Sequence, residues 1–111
     1  MKVVVGTVLL IAVALAMPVV GAEKIKGSIS DKMCGADHHG QDPTACTLSC
    51  VKGGSPFVLV VSKDRILDIE NQSDAKIKAE LEKFAGKAVT ASGTLSKDGK
   101  SVKLTSLEAG S

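Results

Sequence analysis

The stretch FVLVVSKDRILDIENQSDAKIKAELEKFAG, residues 57–86, decides the fold. Phe57-Val58-Leu59-Val60-Val61 is a continuous apolar run of strand length with turn residues on either side. Ser62-Lys63-Asp64 turns the chain into a second strand, Arg65-Ile66-Leu67-Asp68-Ile69-Glu70, so the two form a hairpin. After Asn71-Gln72, Ser73 is expected to cap a helix with Asp74 in its first turn. Ile77, Leu81 and Phe84 fall at i, i+4 and i+7 of that helix, with Lys and Glu on the other face. Gly86 is expected as its C-terminal cap.

Working outward, Lys24-Ile25-Lys26-Gly27-Ser28-Ile29-Ser30 alternates polar and apolar residues and predicts a half-buried strand before the hairpin. Beyond the helix, Val89, Ala91, Gly93 and Leu95 alternate along a fourth strand. Asp98-Gly99 then turns the chain into a fifth, with Val102 and Leu104 facing one way. Ser106–Ser111 is expected as a frayed tail. Three strands, one helix and a two-strand hairpin are the element order of the small five-stranded OB-like barrel, in which the helix plugs one end. The expected class is therefore mainly β with one or two short helices. A ferredoxin-like arrangement would need a helix between the first two strands. Residues 44–52 offer only a brief one, too short to cover a sheet.

The first 22 residues belong to a different object. They hold 17 apolar residues and one charge, Lys2, in an apolar run from Val3 to Val20 that ends on Pro18, Gly21 and Ala22. A positive start, an apolar stretch, a helix breaker and a small-x-Ala site together predict a secretory signal peptide cleaved after Ala22. The other reading is an uncleaved anchor, since 18 residues just span a bilayer; Pro18 and the Gly-Ala end favour cleavage. Residues 23–111 are then a single OB-like domain, periplasmic or secreted, with no stable membrane anchor after cleavage.

Composition limits what such a domain can do. The whole chain of 111 residues carries a net charge of +2, is 44% hydrophobic and only 2% aromatic, and has no Trp or Tyr. With 13 basic against 12 acidic residues after position 22, it lacks both the basic excess and the stacking platforms of a nucleic-acid binder.

The chemistry is concentrated in an insert at about residues 31–56. Cys46 and Cys50 are four apart on the short helix that Asp42 or Thr44 can cap and Gly53-Gly54 can end. Their two sulfurs share one side, an arrangement poor for a mutual disulfide and good for presenting two thiolates to a third group. Cys34 and His38 can close the site from the other arm. Three thiols and one imidazole make a tetrahedral set for zinc and are soft enough for copper(I), for which Met33 would add a thioether. The predicted metal ligands are Cys34, His38, Cys46 and Cys50, with His39 a spare and Zn or Cu the ion; the same loop could instead act through its thiols, exchanging thiol equivalents.

Outside the reducing cytosol, an odd number of cysteines demands an account. A disulfide from Cys34 to Cys46 or Cys50 would staple the insert, contribute about 3 kcal/mol, and make the domain a non-catalytic binding or structural module for an envelope protein. A catalytic thiol would need a base such as His38 with Asp37 or Asp42, and no oxyanion site is visible, so an enzyme is the weaker reading. Asp31, just before the loop, could orient a ligand but reads first as a turn former.

These residues resemble a family of small exported bacterial proteins of unknown function. The shared pattern is G-x-[IV]-[ST]-D-x-x-C-G-x-x-H followed by C-x-x-x-C-[VI]-x-x-G. It is met here by Gly27, Ile29, Ser30, Asp31, Cys34, Gly35 and His38, then by Cys46, Cys50, Val51 and the Gly53-Gly54 pair. The similarity covers residues 27–107. Ser28 stands where members often carry an aromatic, and His39 is an additional histidine. The resemblance implies a compact extracytoplasmic domain and no assigned activity.

Overall fold

The computed structural model describes residues 23–110. The expected signal peptide, residues 1–22, lies outside the described residues. Five strands and two helices follow in the order β1 (Glu23–Asp31), α1 (Pro43–Lys52), β2 (Phe57–Ser62), β3 (Arg65–Ile69), α2 (Ala75–Lys83), β4 (Ala88–Leu95) and β5 (Ser101–Ala109). The strands close into a barrel in the order β1-β2-β3-β5-β4. Every pairing is antiparallel except β3 with β5, which is parallel. This is the expected OB-like topology, and the ferredoxin-like arrangement is excluded.

Closure depends on β1 serving two neighbours. Glu23 to Ser28 pair with β4, and Ser28 to Asp31 pair with β2. The handover falls at Ser28, and at Gly27 beside it a Cβ would lie 2.5 Å from the carbonyl oxygen of Val60. Only glycine fits that approach. The β3–β5 seam is short, with two paired positions. Side-chain amides extend it: Asn71 donates to the Leu104 carbonyl at 2.8 Å and accepts the Leu104 N–H at 2.9 Å. Gln72 makes the same reciprocal pair with Phe57, at 2.9 and 3.1 Å.

The barrel interior is filled by alternate residues of each strand, among them Ile29, Leu59, Leu67, Val89, Ala91, Val102 and Leu104. Helix α2 adds Ile77 and Leu81, both buried, with Phe84 packed partly against the same core, as the apolar stripe predicts. Its start differs by one residue from expectation. Asp74 rather than Ser73 is the N-cap, because its extended backbone lets one carboxylate oxygen accept from both Lys76 and Ile77 N–H. Its end differs too. Phe84 is the C-cap, and Gly86, at φ +75°, instead begins the return to the barrel by donating to the Ile29 carbonyl at 2.7 Å.

The expected frayed tail is also corrected. Strand β5 stays paired with β4 out to Ala109, Leu107 is buried, and Gly110 donates to the Ala88 carbonyl. Long β4 provides the partner groups that hold this end down. Among the described residues, no helix is long and apolar enough to cross a membrane.

Candidate metal centre

The insert leaves the barrel at Asp31, the last residue of β1, and returns at Phe57, directly opposite in the β1–β2 register. Its two ends are therefore fixed side by side. Asp31 begins a tight turn: its carbonyl accepts the Gly35 N–H at 2.8 Å, and its Oδ2 accepts the Cys34 N–H at 3.0 Å. Cys34 is held over the barrel rim by this turn.

Helix α1 brings the other two sulfurs. Asp42 is its N-cap, with Oδ2 accepting the Ala45 N–H at 2.8 Å, and Pro43 starts the first turn, where its missing donor costs nothing. Thr44 is not the cap. Its hydroxyl donates to the Ala85 carbonyl at 2.8 Å and moors α1 to the α2–β4 connection. At this contact a Cβ on Gly86 would collide with the backbone of Pro43 and Thr44. Gly53 closes the helix by donating to the Ser49 and Cys50 carbonyls, as expected.

The result is convergence of the three cysteines. Cys34 Sγ is 3.3 Å from Cys46 Sγ and 3.8 Å from Cys50 Sγ. All three are free thiols; neither disulfide weighed for the staple is formed. A carboxylate oxygen of Asp31 completes the group, and the four ligand atoms lie within 4.8 Å of one another. Asp31 is fully buried, and its Oδ1 has no hydrogen-bond partner. Among the described residues no ion pair reaches it. A buried carboxylate oxygen left unpartnered is costly unless a cation or donor meets it.

The predicted histidine is not a member of this group. His38 Nε2 is 3.5 Å from Ser30 Oγ, and Nδ1 is buried without a partner, but the ring is not in the four-atom group. The fourth place is filled instead by Asp31, which sits three residues before Cys34 and shares its turn. The spare, His39, faces solvent with a positive φ of 52° and lies 3.5 Å from the Asp37 carboxylate. Met33 is 77% exposed, so its side chain is given to solvent.

Electrostatics in the metal-free state follow from this crowding. The Cys34 thiol is held above the ordinary thiol range, chiefly by its hydrogen bond with Cys46 and then by partial burial. Burial raises Cys50 first, helped by its hydrogen bond with Cys34 and by the Asp31 carboxylate. Both effects penalise the thiolate, the form that binds metal.

Two of the sulfur separations can be compared with tetrahedral thiolate geometry. With Zn–S bonds of about 2.3 Å, tetrahedral geometry spaces sulfurs about 3.8 Å apart. The Cys34–Cys50 pair meets that distance, and the Cys34–Cys46 pair needs to open by about 0.5 Å. The group of Asp31 and three cysteines can thus hold a metal ion. The sequence points to the three cysteines as ligands and to Asp31 only as a turn former that could orient a ligand; that its own carboxylate joins the group is visible only in the fold. Compared with protein-family models, curated proteins and solved structures, the chain matches none of them.

Proposed function

We infer that this protein is a small exported barrel that binds one zinc ion through Cys34, Cys46, Cys50 and Asp31. The observation that carries the reading is the fully buried Asp31 carboxylate, with one oxygen unpartnered beside three converging free thiols. Ionised, these four groups repel one another, and a divalent cation is the simplest partner that satisfies them together.

The oxygen donor favours zinc over copper(I). Zinc accepts carboxylate with thiolate, whereas copper(I) selects soft sulfur, and the thioether that would have served copper, Met33, is given to solvent. A site closed by four protein ligands is structural or storage-like rather than hydrolytic, because no position remains for an activated water. Export is supported by the charge and apolar pattern of residues 1–22.

Cobalt(II) substitution tests the ligand set. Reduced protein titrated with one equivalent of cobalt should give the intense visible bands of tetrahedral coordination together with thiolate charge-transfer absorption, and zinc should bleach both. Weak octahedral bands without charge transfer would reject thiolate ligation.

A further inference from the structure

We propose that the same three sulfurs form a dithiol–disulfide couple in which Cys34 and Cys46 close on oxidation, Cys50 remains a thiol, and the bound metal is expelled. The metal-release half rests on the zinc reading above; the choice of pair does not.

Geometry selects the pair. Cys34 Sγ and Cys46 Sγ are 3.3 Å apart and need to approach by about 1.3 Å to reach bonding distance. Cys34 and Cys50 start from 3.8 Å. Cys46 and Cys50 share helix α1 at i and i+4, where the Cβ atoms are about 5–6 Å apart, wider than the roughly 3.8 Å typical of a disulfide. Cys34 is the sulfur common to both possible closures. It sits on a turn rather than a helix, so it can move without disturbing α1. It is also half-buried, and therefore reachable, while Cys46 is 9% exposed.

Access orders the steps. With a low-molecular-weight disulfide RSSR as oxidant, the Cys34 thiolate attacks one sulfur of RSSR. The S–S bond breaks, and RS⁻ leaves and takes up a proton. The Cys46 thiolate then attacks Cys34 Sγ, the mixed disulfide breaks, and a second RS⁻ leaves and is protonated. Two electrons pass from the cysteine pair to RSSR. In the zinc form the pair is already deprotonated, so two protons come from solvent and Zn²⁺ is released. Cys50 and Asp31 alone are too few to retain the ion.

The sulfur cluster is thereby more than a mineral clamp. It would couple the redox state of the compartment to metal release and leave a half-exposed thiol, Cys50, as the mark of the oxidised state.

The test uses residues 23–111, in metal-free reduced form and in zinc-loaded form, each treated with oxidised glutathione. The remaining thiol is alkylated and its position read by peptide fragmentation, while a chromogenic chelator follows zinc. The expected result is alkylation at Cys50 in both forms, no retained glutathione, and one equivalent of zinc released from the loaded form. Alkylation mainly at Cys46 or Cys34, or stable glutathione on the protein, overturns the pairing. Closure of Cys34–Cys46 with zinc retained overturns the coupling. If the protein takes up no zinc, the zinc reading and the coupling both fall, and the metal-free arm still decides the pairing. Cys46→Ser provides a control, because it should trap the glutathione adduct at Cys34 and slow thiol closure at least tenfold; unchanged closure would contradict Cys46 as the resolving thiol.

Discussion

Asp31 Oδ2 accepts the backbone N–H of Cys34 at 3.0 Å, so the carboxylate that shapes the turn presenting the first sulfur also belongs to the group formed with the three cysteines. The two roles can be separated chemically. Asn in place of Asp keeps an acceptor for the Cys34 N–H and removes the anionic ligand. Asp31→Asn should therefore leave the fold intact and weaken zinc binding by at least about tenfold. Competition against a chromophoric chelator measures this; unchanged affinity would remove Asp31 from the ligand set.

His38 gives the complementary prediction. Its ring is beside Ser30 and outside the four-atom group. His38→Ala should bind one zinc with affinity within about threefold of the parent, a change no larger than an ordinary surface substitution produces. Loss of stoichiometric binding would restore the histidine to the site.

The raised thiols make two signed pH predictions. Metal binding must displace protons from Cys34 and Cys50, so apparent zinc affinity should fall as pH is lowered below the ordinary thiol range. For the reduced, metal-free protein the linkage runs the other way. A thiol whose folded value exceeds its unfolded value stabilises the fold fully below the unfolded value, about 8.5. That stability is lost as pH rises through the folded value. Urea unfolding under reductant should give a lower midpoint at pH 10 than at pH 7, and Cys34→Ser should shrink the difference. A midpoint that rises with pH over this window would contradict the environment described for these thiols.

Gly86 links the barrel to the site. Its φ of +75° is one that side-chain-bearing residues rarely adopt, and a Cβ there would strike the backbone at the start of α1. Gly86→Ala should cost more than about 2 kcal/mol and loosen the helix that carries Cys46 and Cys50. Thermal unfolding and zinc titration of the variant report the two effects; a fully stable variant with parental affinity would show that α1 is not positioned by this contact.

The barrel was legible because its signals are local and periodic. Ile77 and Leu81 at helical spacing, and Val89 with Ala91 at strand spacing, announce their buried faces directly. The two expectations at the helix and strand ends failed for a tertiary reason. Gly86 and the 106–110 segment are held by partners far away in the chain, Ile29 and Ala88, which no local window contains. The candidate site divides along the same line. Cys46 and Cys50 share a face by helical geometry alone, so their pairing is visible in the spacing. Asp31 and His38 are both polar residues flanking Cys34, and only the path of the turn decides which one meets the sulfurs.

The central claim is tested most directly by a native mass spectrum of the protein purified anaerobically after growth with zinc. The account predicts a chain beginning at Glu23 that carries one zinc ion, with the three cysteines unmodified and resistant to alkylation until a chelator is added. A metal-free chain whose three thiols alkylate at once, and which takes up no zinc afterwards, would contradict it.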